Sequence, residues 1–305
     1  MLYRQTVSSV RLALAIENPV FRSDIQRMLV EDGFAGQVYE AQTAEAAVTL
    51  LREKSFDLLI LQAEIGGSYL APMVRDLRNG QLFSHPFPLV VMLSSGREMA
   101  YLHDLIDCGP DDVLLMPVQR AKLQERVRSL SKRRKRFVVT QGYVGPDRRS
   151  TPRAGGADSG PLLDVPNPLE GKAAGRDPML LQRDIEEAAQ QLDRLRVERH
   201  GAQILWLEKH LHHLLASHQP ETQMIASHSR RLVEIAQDLK ARTRSWPHGR
   251  IARAAEALHH AAEIMSEGAC RPAKATFATL SMACRQTCQE IVMGLPSEEI
   301  QQVAM

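Results

Sequence analysis

Five residues stand where apolar runs of the sequence end, and their side chains define the chemistry that this chain offers. Ile16 and Glu17 follow one run, Gln62 and Ser94 end two others, and Met116 follows a fourth. Because the carboxyl ends of parallel strands meet at one edge of a sheet, we expect these side chains to lie together. One carboxylate is a poor Mg²⁺ site, since Mg²⁺ prefers octahedral oxygen ligands. An amide cannot form an acyl phosphate, so we expect neither catalysis nor a bound metal or cofactor at this edge.

Short apolar runs alternate with helical patterns over residues 10–130, which predicts a parallel α/β sheet. The predicted strands are residues 11–16, 37–40, 57–61, 89–93 and 112–115. Asn18 is predicted to cap the first helix and Thr43 the second. This βα repetition is typical of a doubly wound, flavodoxin-like sheet of five strands in the order 2-1-3-4-5.

Four ordered segments in this range resemble landmarks of the response-regulator receiver domain family (CheY-like). They are residues 15–20 at the first-strand exit, 56–67 at the third strand and its loop, 91–95 at the fourth strand, and 108–117. In an active member, an acid pair and an acceptor aspartate hold Mg²⁺, while a lysine and a hydroxyl residue neutralise the phosphoryl oxygens. The resemblance implies the fold over 1–131 and a place in two-component (phosphorelay) signal transduction.

The same resemblance implies that this receiver is degenerate. The corresponding positions are Ile16, Glu17, Gln62, Ser94 and Met116, so the acceptor, the lysine and one acid are missing. Val113 stands where the family often has an aromatic switch residue. We therefore expect a pseudoreceiver that is not an enzyme and that acts as a phosphorylation-independent protein-interaction module. The family offers residues 97–130 to its signalling partners, which here would be a kinase, a receiver or an output protein.

The composition changes after residue 131. Between Arg120 and Arg153 there are twelve Lys or Arg residues against two acids, and the densest run is Lys132, Arg133, Arg134, Lys135 and Arg136. Gly, Pro, Ser and Asp then become frequent, so we expect a basic, flexible linker over 132–177. Within it, residues 143–149 resemble a short segment that follows receiver domains in some proteobacterial signalling proteins.

The basic run leaves a nucleic-acid-binding regulator open as an alternative function. Lys and Arg side chains gain affinity for phosphates by releasing counterions. No recognition helix and no interleaved aromatic platform accompanies the run, so a solvated charge run is the favoured interpretation.

The pattern over residues 178–305 changes to a period of 3.6, which predicts four amphipathic helices in a bundle or coiled-coil domain. The first could extend over 178–217, but its apolar stripe loses phase near Gly201. Two explanations stay open: a plain break at Gly201, or a helix that begins as a dimeric coiled coil and ends in a bundle. We expect this domain to mediate homodimerisation or partner binding.

Histidines are the residues of the predicted bundle that suit chemistry. His210 and His213 lie one helical turn apart, but no acid or Cys completes a ligand set, so packed or solvated histidines are favoured over a metal site. His228 and His260 are candidate phosphoacceptors for histidine phosphotransfer, in which a helix histidine of a four-helix bundle accepts phosphate. Neither is followed by the Leu-Lys-Gly-like continuation typical of such modules, so phosphotransfer is an alternative function.

The bulk composition is that of an ordinary globular protein, with 44% hydrophobic and 24% charged residues. No apolar run approaches the roughly 20 residues of a transmembrane helix. The first ten residues lack the pattern of a secretory signal, so we expect a cytoplasmic protein. The four cysteines are too scattered for a disulfide framework.

Overall fold

The computed structural model describes residues 10–32, 34, 36–80, 85–149, 160–217, 221–246, 249–268 and 273–295. The chain divides into two compact units, Met1–Leu192 and Asp193–Met305. The first unit begins with β1 (Arg11–Ala15), α1 (Pro19–Glu31), β2 (Gln37–Ala41), α2 (Ala44–Glu53), β3 (Leu58–Gln62), β4 (Glu64–Ile65), β5 (Ser68–Tyr69), α3 (Ala71–Arg78), β6 (Leu89–Ser94), α4 (Met99–Asp107), β7 (Asp112–Leu115) and α5 (Arg120–Lys132).

Five of these strands form one parallel sheet in the order β2-β1-β3-β6-β7. This is the predicted flavodoxin-like order, counted over the five strands of the sheet, and the prediction is confirmed. The caps are confirmed as well: the Asn18 side chain accepts a hydrogen bond from the Phe21 amide, and the Thr43 side chain accepts one from the Ala46 amide. Such caps satisfy amide groups that have no partner inside the helix.

Helices cover both faces of the sheet, and this explains the nearly continuous apolar runs of β3 and β6. Successive side chains of a strand point to opposite faces, so each strand contributes to two cores. Leu59, Leu61 and Met92 belong to one core, whereas Ile60 and Val91 belong to the other. Both faces of the sheet are therefore covered by apolar cores, so we expect a functional site at its edges or loops.

The range expected to be a flexible linker differs from that expectation. Its described residues contain β8 (Phe137–Val139), β9 (Val144–Pro146) and β10 (Leu162–Leu163), which form an antiparallel sheet in the order β10-β8-β9, followed by α6 (Pro168–Ala173). Phe137 and Val139 are fully buried. The apolar run at 137–139 supplies a small core that the Gly and Pro content around it conceals. We call residues 132–149 and 160–177 the extension, and they are part of the folded first unit.

The described residues of the carboxyl-terminal region form four helices, as predicted: α7 (Pro178–Ala216), α8 (Thr222–Arg242), α9 (Arg250–Glu267) and α10 (Lys274–Gly294). α7 is unbroken at Gly201, so the plain break is not observed. A Cβ atom at Gly201 would lie 3.6 Å from the Ile291 side chain, which explains why a small residue interrupts the apolar stripe. From Asp193 onward, the helices share one apolar core.

The amino-terminal part of α7 is where we expected a dimeric coiled coil. Its apolar stripe is buried within the single chain and consists of Leu181, Ile185, Ala188, Leu192 and Leu195. A Cβ atom at Gly171 of α6 would lie 2.9 Å from the Leu181 side chain, so the extension packs against this stripe. In this conformation the stripe is already covered, and a second copy would have to displace what covers it.

Candidate functional site

The carboxyl end of the sheet holds the five residues that the sequence singled out. Ile16 and Glu17 follow β1, Gln62 ends β3, Ser94 ends β6, and Met116 follows β7. Backbone hydrogen bonds continue the sheet at this end, since the Met116 amide donates to the Ser94 carbonyl at 2.7 Å. Parallel strands therefore bring these positions to one edge, as expected.

Gln62 is tied to the neighbouring strand exit. Its side-chain oxygen accepts a hydrogen bond from the Glu17 backbone amide at 3.2 Å. Beside it, the buried Arg22 donates to the Ile16 carbonyl at 2.6 Å and to the Glu40 carboxylate at 2.7 Å. The buried cation of this edge is thus used to hold the end of β1, and the amide of Gln62 bridges β1 and β3.

Ser94 and Met116 complete the edge without adding charge. The Ser94 hydroxyl is buried and donates to the Gly96 carbonyl at 2.9 Å, within its own loop. Met116 packs against the apolar core formed under α1 and α5. The donor set is one exposed carboxylate at Glu17, with an amide and a hydroxyl already bonded to backbone, and this set does not fit Mg²⁺. In the described part of the chain, no group of three or more His, Cys, Asp or Glu could hold a metal ion.

A small hairpin and two tyrosines border this edge. β4 and β5 pair across Gly66 and Gly67, whose φ angles of 56° and 77° suit a tight turn between antiparallel strands. The rings of Tyr69 and Tyr101 lie 5.4 Å apart, and burial raises the pKa of Tyr69 to about 12. A Cβ atom at Gly96 would lie 2.7 Å from the Tyr101 ring, so this ring packs directly under the loop after β6.

Sequence reasoning placed residues 62–67 in a loop and missed the hairpin. The two adjacent glycines between short β-compatible segments were the available signal. The tyrosines carried no local signal, because their meeting depends on the packing of β5 against α4.

The opposite, amino-terminal edge of the sheet contains a buried ion network that sequence reasoning did not identify. Asp111 accepts from Arg78 at 2.7 Å and from Arg134 at 3.0 Å, and the three side chains are 2%, 1% and 3% exposed, respectively. The Val90 amide also donates to Asp111, at 2.8 Å. One carboxylate therefore joins β6, α3 and the extension.

Backbone carbonyls satisfy most of the remaining donors of this network. Arg78 donates to Gly109 at 2.8 Å and Arg134 donates to Pro166 at 2.8 Å. The Phe137 ring lies 5.1 Å from the guanidinium carbon of Arg78 and 4.9 Å from that of Arg134, within the range of cation–π attraction. Burial lowers the pKa of Arg78 to about 10, so the guanidinium is still charged at neutral pH.

The extension makes further close contacts with this edge. Lys172 forms an ion pair with Asp57 at 2.8 Å, just before β3. A Cβ atom at Gly145 would lie 2.8 Å from the Gly109 Cα atom, and the Tyr143 hydroxyl donates to the Pro146 carbonyl at 2.9 Å. The segment 143–149 therefore packs on the turn that precedes β7, and its glycine permits the approach.

The basic run is divided by this packing. Arg134 belongs to the buried network, whereas Lys132, Arg133, Lys135 and Arg136 are exposed. The alternative contact patch of all five basic residues is therefore wrong in including Arg134, because its side chain is buried in the network. The four exposed cations form a solvated patch on either side of Arg134.

The candidate histidines of the bundle differ in their surroundings. His228 Nε2 lies 2.8 Å from His210 Nδ1, and the Trp206 ring packs against both imidazoles. His228 is half-buried, and desolvation lowers its pKa. His260, on α9, is exposed. The ring nitrogen that His228 would offer to a phosphoryl group is therefore engaged, and His260 is the more accessible of the two.

The predicted interaction surface, formed by α4, β7 and α5, exposes apolar side chains. Met99 is 66% exposed and Leu115 is 43% exposed. Val113, at the position of the expected aromatic switch, is half-buried. The surface is therefore partly apolar.

Comparison with known proteins assigns a family to part of the first unit. Residues 13–128 match the family model described as the response regulator receiver domain. These residues are thus a response-regulator receiver domain of two-component signalling. Similar solved structures include the receiver domain of the putative response regulator NarL from Mycobacterium tuberculosis, with 25% identity over 41% of this chain and 98% of that chain and a TM-score of 0.35. Vibrio cholerae CheY4 has 15% identity over 39% and 97% of the two chains and a TM-score of 0.35.

No curated protein matches the chain. Among the described residues, no helix is long and apolar enough to cross a membrane.

Proposed function

We propose that this receiver domain works without phosphorylation, as a protein-interaction module in two-component signalling, and that the helical region supports dimerisation or partner binding. The observation that carries the proposal is the state of the carboxyl edge of the sheet. Gln62 replaces the acceptor and is bonded to the Glu17 amide, while Ile16 and Met116 replace an acid and a lysine. Phosphoryl transfer needs in-line positioning and charge neutralisation, and these residues supply neither.

The surroundings of this edge support a single conformation of the domain. The Ser94 hydroxyl is bonded within its own loop, and the Tyr101 ring packs under Gly96 in that loop. Val113 provides no aromatic ring to rotate. A domain of this kind would present the α4, β7 and α5 surface permanently, so its output would depend on the presence of the partner.

Labelling experiments test the absence of phosphorylation. The protein is incubated with radiolabelled acetyl phosphate and, separately, with phosphorylated histidine kinases and receivers. We expect no acyl phosphate on the receiver domain. Acid-labile label on His228 or His260 would instead favour histidine phosphotransfer by the bundle, and a hydroxylamine-sensitive label on residues 13–128 would contradict the proposal.

Partner capture tests the interaction surface. A charge at an apolar contact position is costly to bury, so Leu115→Asp is expected to lose partners that the unmodified chain retains from cells. Val20→Asp is the matched control, because Val20 is 70% exposed on α1 and lies outside the surface. Equal loss in both variants, or in neither, would contradict the assignment of the surface. Retention of nucleic acid with a steep salt dependence would favour the basic exposed cations as the contact.

A further inference from the structure

A cavity of about 310 Å³ lies at one end of the carboxyl-terminal bundle, between the residues after α8, the start of α9 and the end of α10. This volume is at the lower end of the range for small-molecule sites, about 300 to 1,000 Å³. All of its described lining residues belong to the second unit. The receiver domain and its lost phosphorylation site have no part in it.

Two oppositely charged side chains line this cavity without pairing. Glu290 comes from α10 and Arg250 from α9, and neither side chain forms an ion pair or hydrogen bond with another described residue. The Glu290 Oε2 atom is buried and has no hydrogen-bond partner. A charged oxygen removed from water without a donor is costly, so a ligand that donates to it would be favoured.

The start of α9 adds to the positive side of the cavity. Gly249 occupies the cap position with a φ of 55° and has no side chain to bond the first amides of the helix. Amide groups of a first helical turn, together with the partial positive charge of the helix end, favour an anionic group. Arg250 is an exposed residue of the same turn and also lines the cavity, so both features add positive charge on the α9 side of it.

The rest of the cavity is largely apolar. Trp246, Ile251 and Met293 contribute aromatic, branched aliphatic and thioether surface. An indole ring attracts a neighbouring ammonium group as well as apolar carbon atoms. The cavity therefore combines an acceptor for a cation, donors for an anion, and a hydrophobic wall.

We propose that this cavity binds a small α-amino acid with an apolar side chain. The ammonium group would donate to Glu290, the carboxylate would accept from Arg250 and the first amides of α9, and the side chain would pack on Trp246 and Met293. One molecule that carries both charges on a single carbon would join two side chains that do not reach each other. The inference is independent of the proposed function of the receiver domain.

Tryptophan fluorescence offers a direct readout. The chain has two tryptophans, so Trp206→Phe leaves Trp246 as the only one. We expect L-leucine to change the emission of this variant in a saturable manner, and calorimetry on the unmodified chain to give the same dissociation constant. Isopentylamine, which lacks the carboxylate, and 4-methylpentanoate, which lacks the ammonium, should each bind about tenfold more weakly.

Matched variants locate the binding. Glu290→Gln and Arg250→Gln should each weaken L-leucine about tenfold, whereas Glu267→Gln and Arg253→Gln, at exposed positions of α9 outside the cavity, should leave it unchanged. Glu290→Gln should unfold at or above the melting temperature of the unmodified chain, because it replaces a carboxylate whose Oε2 atom is buried without a hydrogen-bond partner.

Three outcomes would overturn the proposal. The first is the absence of saturable binding of leucine, valine, methionine and phenylalanine up to about 10 mM on the unmodified chain. The second is unchanged leucine affinity in Glu290→Gln or Arg250→Gln. The third is equal affinity for leucine and isopentylamine, which would make the site one for amines only. The analogue series needs no substitution at Glu290, so it decides the question even where a variant fails to fold.

Discussion

At its carboxyl end the receiver sheet has one exposed carboxylate, Glu17, next to an amide and a thioether, whereas at its amino end it buries Asp111 between Arg78 and Arg134. Both ends derive from the same strands and the same two apolar cores. At one end uncharged side chains predominate, and at the other a dense set of charges is fully enclosed. The difference separates charges that serve a reaction from charges that hold the fold.

The two ends differ in whether replacing a charged side chain leaves another charge buried without a partner. At the carboxyl end, Gln62 is half-buried with its side-chain oxygen bonded to the Glu17 amide, and Ile16 is buried in an apolar core, so neither residue leaves a buried charge without a partner. A buried carboxylate between two guanidinium groups cannot be removed alone, since its partners then stay buried without compensation. The ion pairs at the amino end also hold the extension, through Arg134 and Lys172. Loss of these ion pairs would therefore destabilise a larger part of the first unit.

The largest effect is expected for Asp111→Asn. The substitution keeps the shape of the side chain but leaves Arg78 and Arg134 buried without a counter-charge, and we expect the free energy of unfolding to fall by about 3 to 5 kcal/mol. Urea unfolding of the full chain, followed by circular dichroism with the receiver and bundle transitions fitted separately, measures this loss.

The neighbouring residue provides the control for that measurement. The Asp112 side chain is 22% exposed and pairs with Arg126, which is 51% exposed, at 3.3 Å. Asp112→Asn should therefore cost no more than about 1 kcal/mol. Similar losses for the two variants would show that burial of the network has no special role at this end of the sheet.

A second, smaller effect concerns His85, which is buried beside the same network. Its Nδ1 atom accepts a hydrogen bond from the Phe87 amide at 3.2 Å. Burial, followed by repulsion from Arg134 and Arg78, lowers the pKa of His85 from 6.5 to about 4. The folded state thus keeps this imidazole neutral, while the unfolded chain takes up a proton below pH 6.5. Stability should fall as the pH drops from about 7 toward 4, by about 2 to 3 kcal/mol from this group.

His85→Asn isolates the contribution of this histidine, since an amide oxygen can accept the Phe87 hydrogen bond without titrating. The difference in unfolding free energy between the unmodified chain and the variant, measured from pH 7.5 to pH 4.5, should shift in favour of the variant as the pH falls. Parallel curves for the two proteins would mean that folding does not lower the pKa of His85.

Local patterns were sufficient for most of the receiver fold. Apolar runs bounded by turn residues gave the five strands of the sheet to within about one residue of the observed limits. Because parallel strands end at a common edge, the same runs also predicted that Glu17, Gln62 and Ser94 lie together, and they do.

Tertiary contacts decided what the sequence did not reveal. Arg134 lies among four other basic residues and nothing in its local context distinguishes it, yet it alone of the five is buried with Asp111. The composition of the extension is that of a linker, and only the pairing of β8 with β9 and β10 makes it part of the folded unit. The cavity near Glu290 joins the segment 243–251 to the segment 290–294, which is distant from it in sequence, so no local motif could indicate it.

The smallest effect is expected at the carboxyl end of the sheet. Gln62→Asp restores the acceptor alone, and we expect no detectable acyl phosphate with acetyl phosphate, because Ile16 still provides no metal ligand and Met116 no charge for the phosphoryl oxygens. The combined variant Ile16→Asp, Gln62→Asp, Met116→Lys is the informative partner, since labelling of the combination without labelling of Gln62→Asp would show that the losses act together. Rapid labelling of Gln62→Asp alone would mean that the carboxyl end still binds Mg²⁺ and phosphate, and that Gln62 is the one of the three differences that prevents phosphorylation.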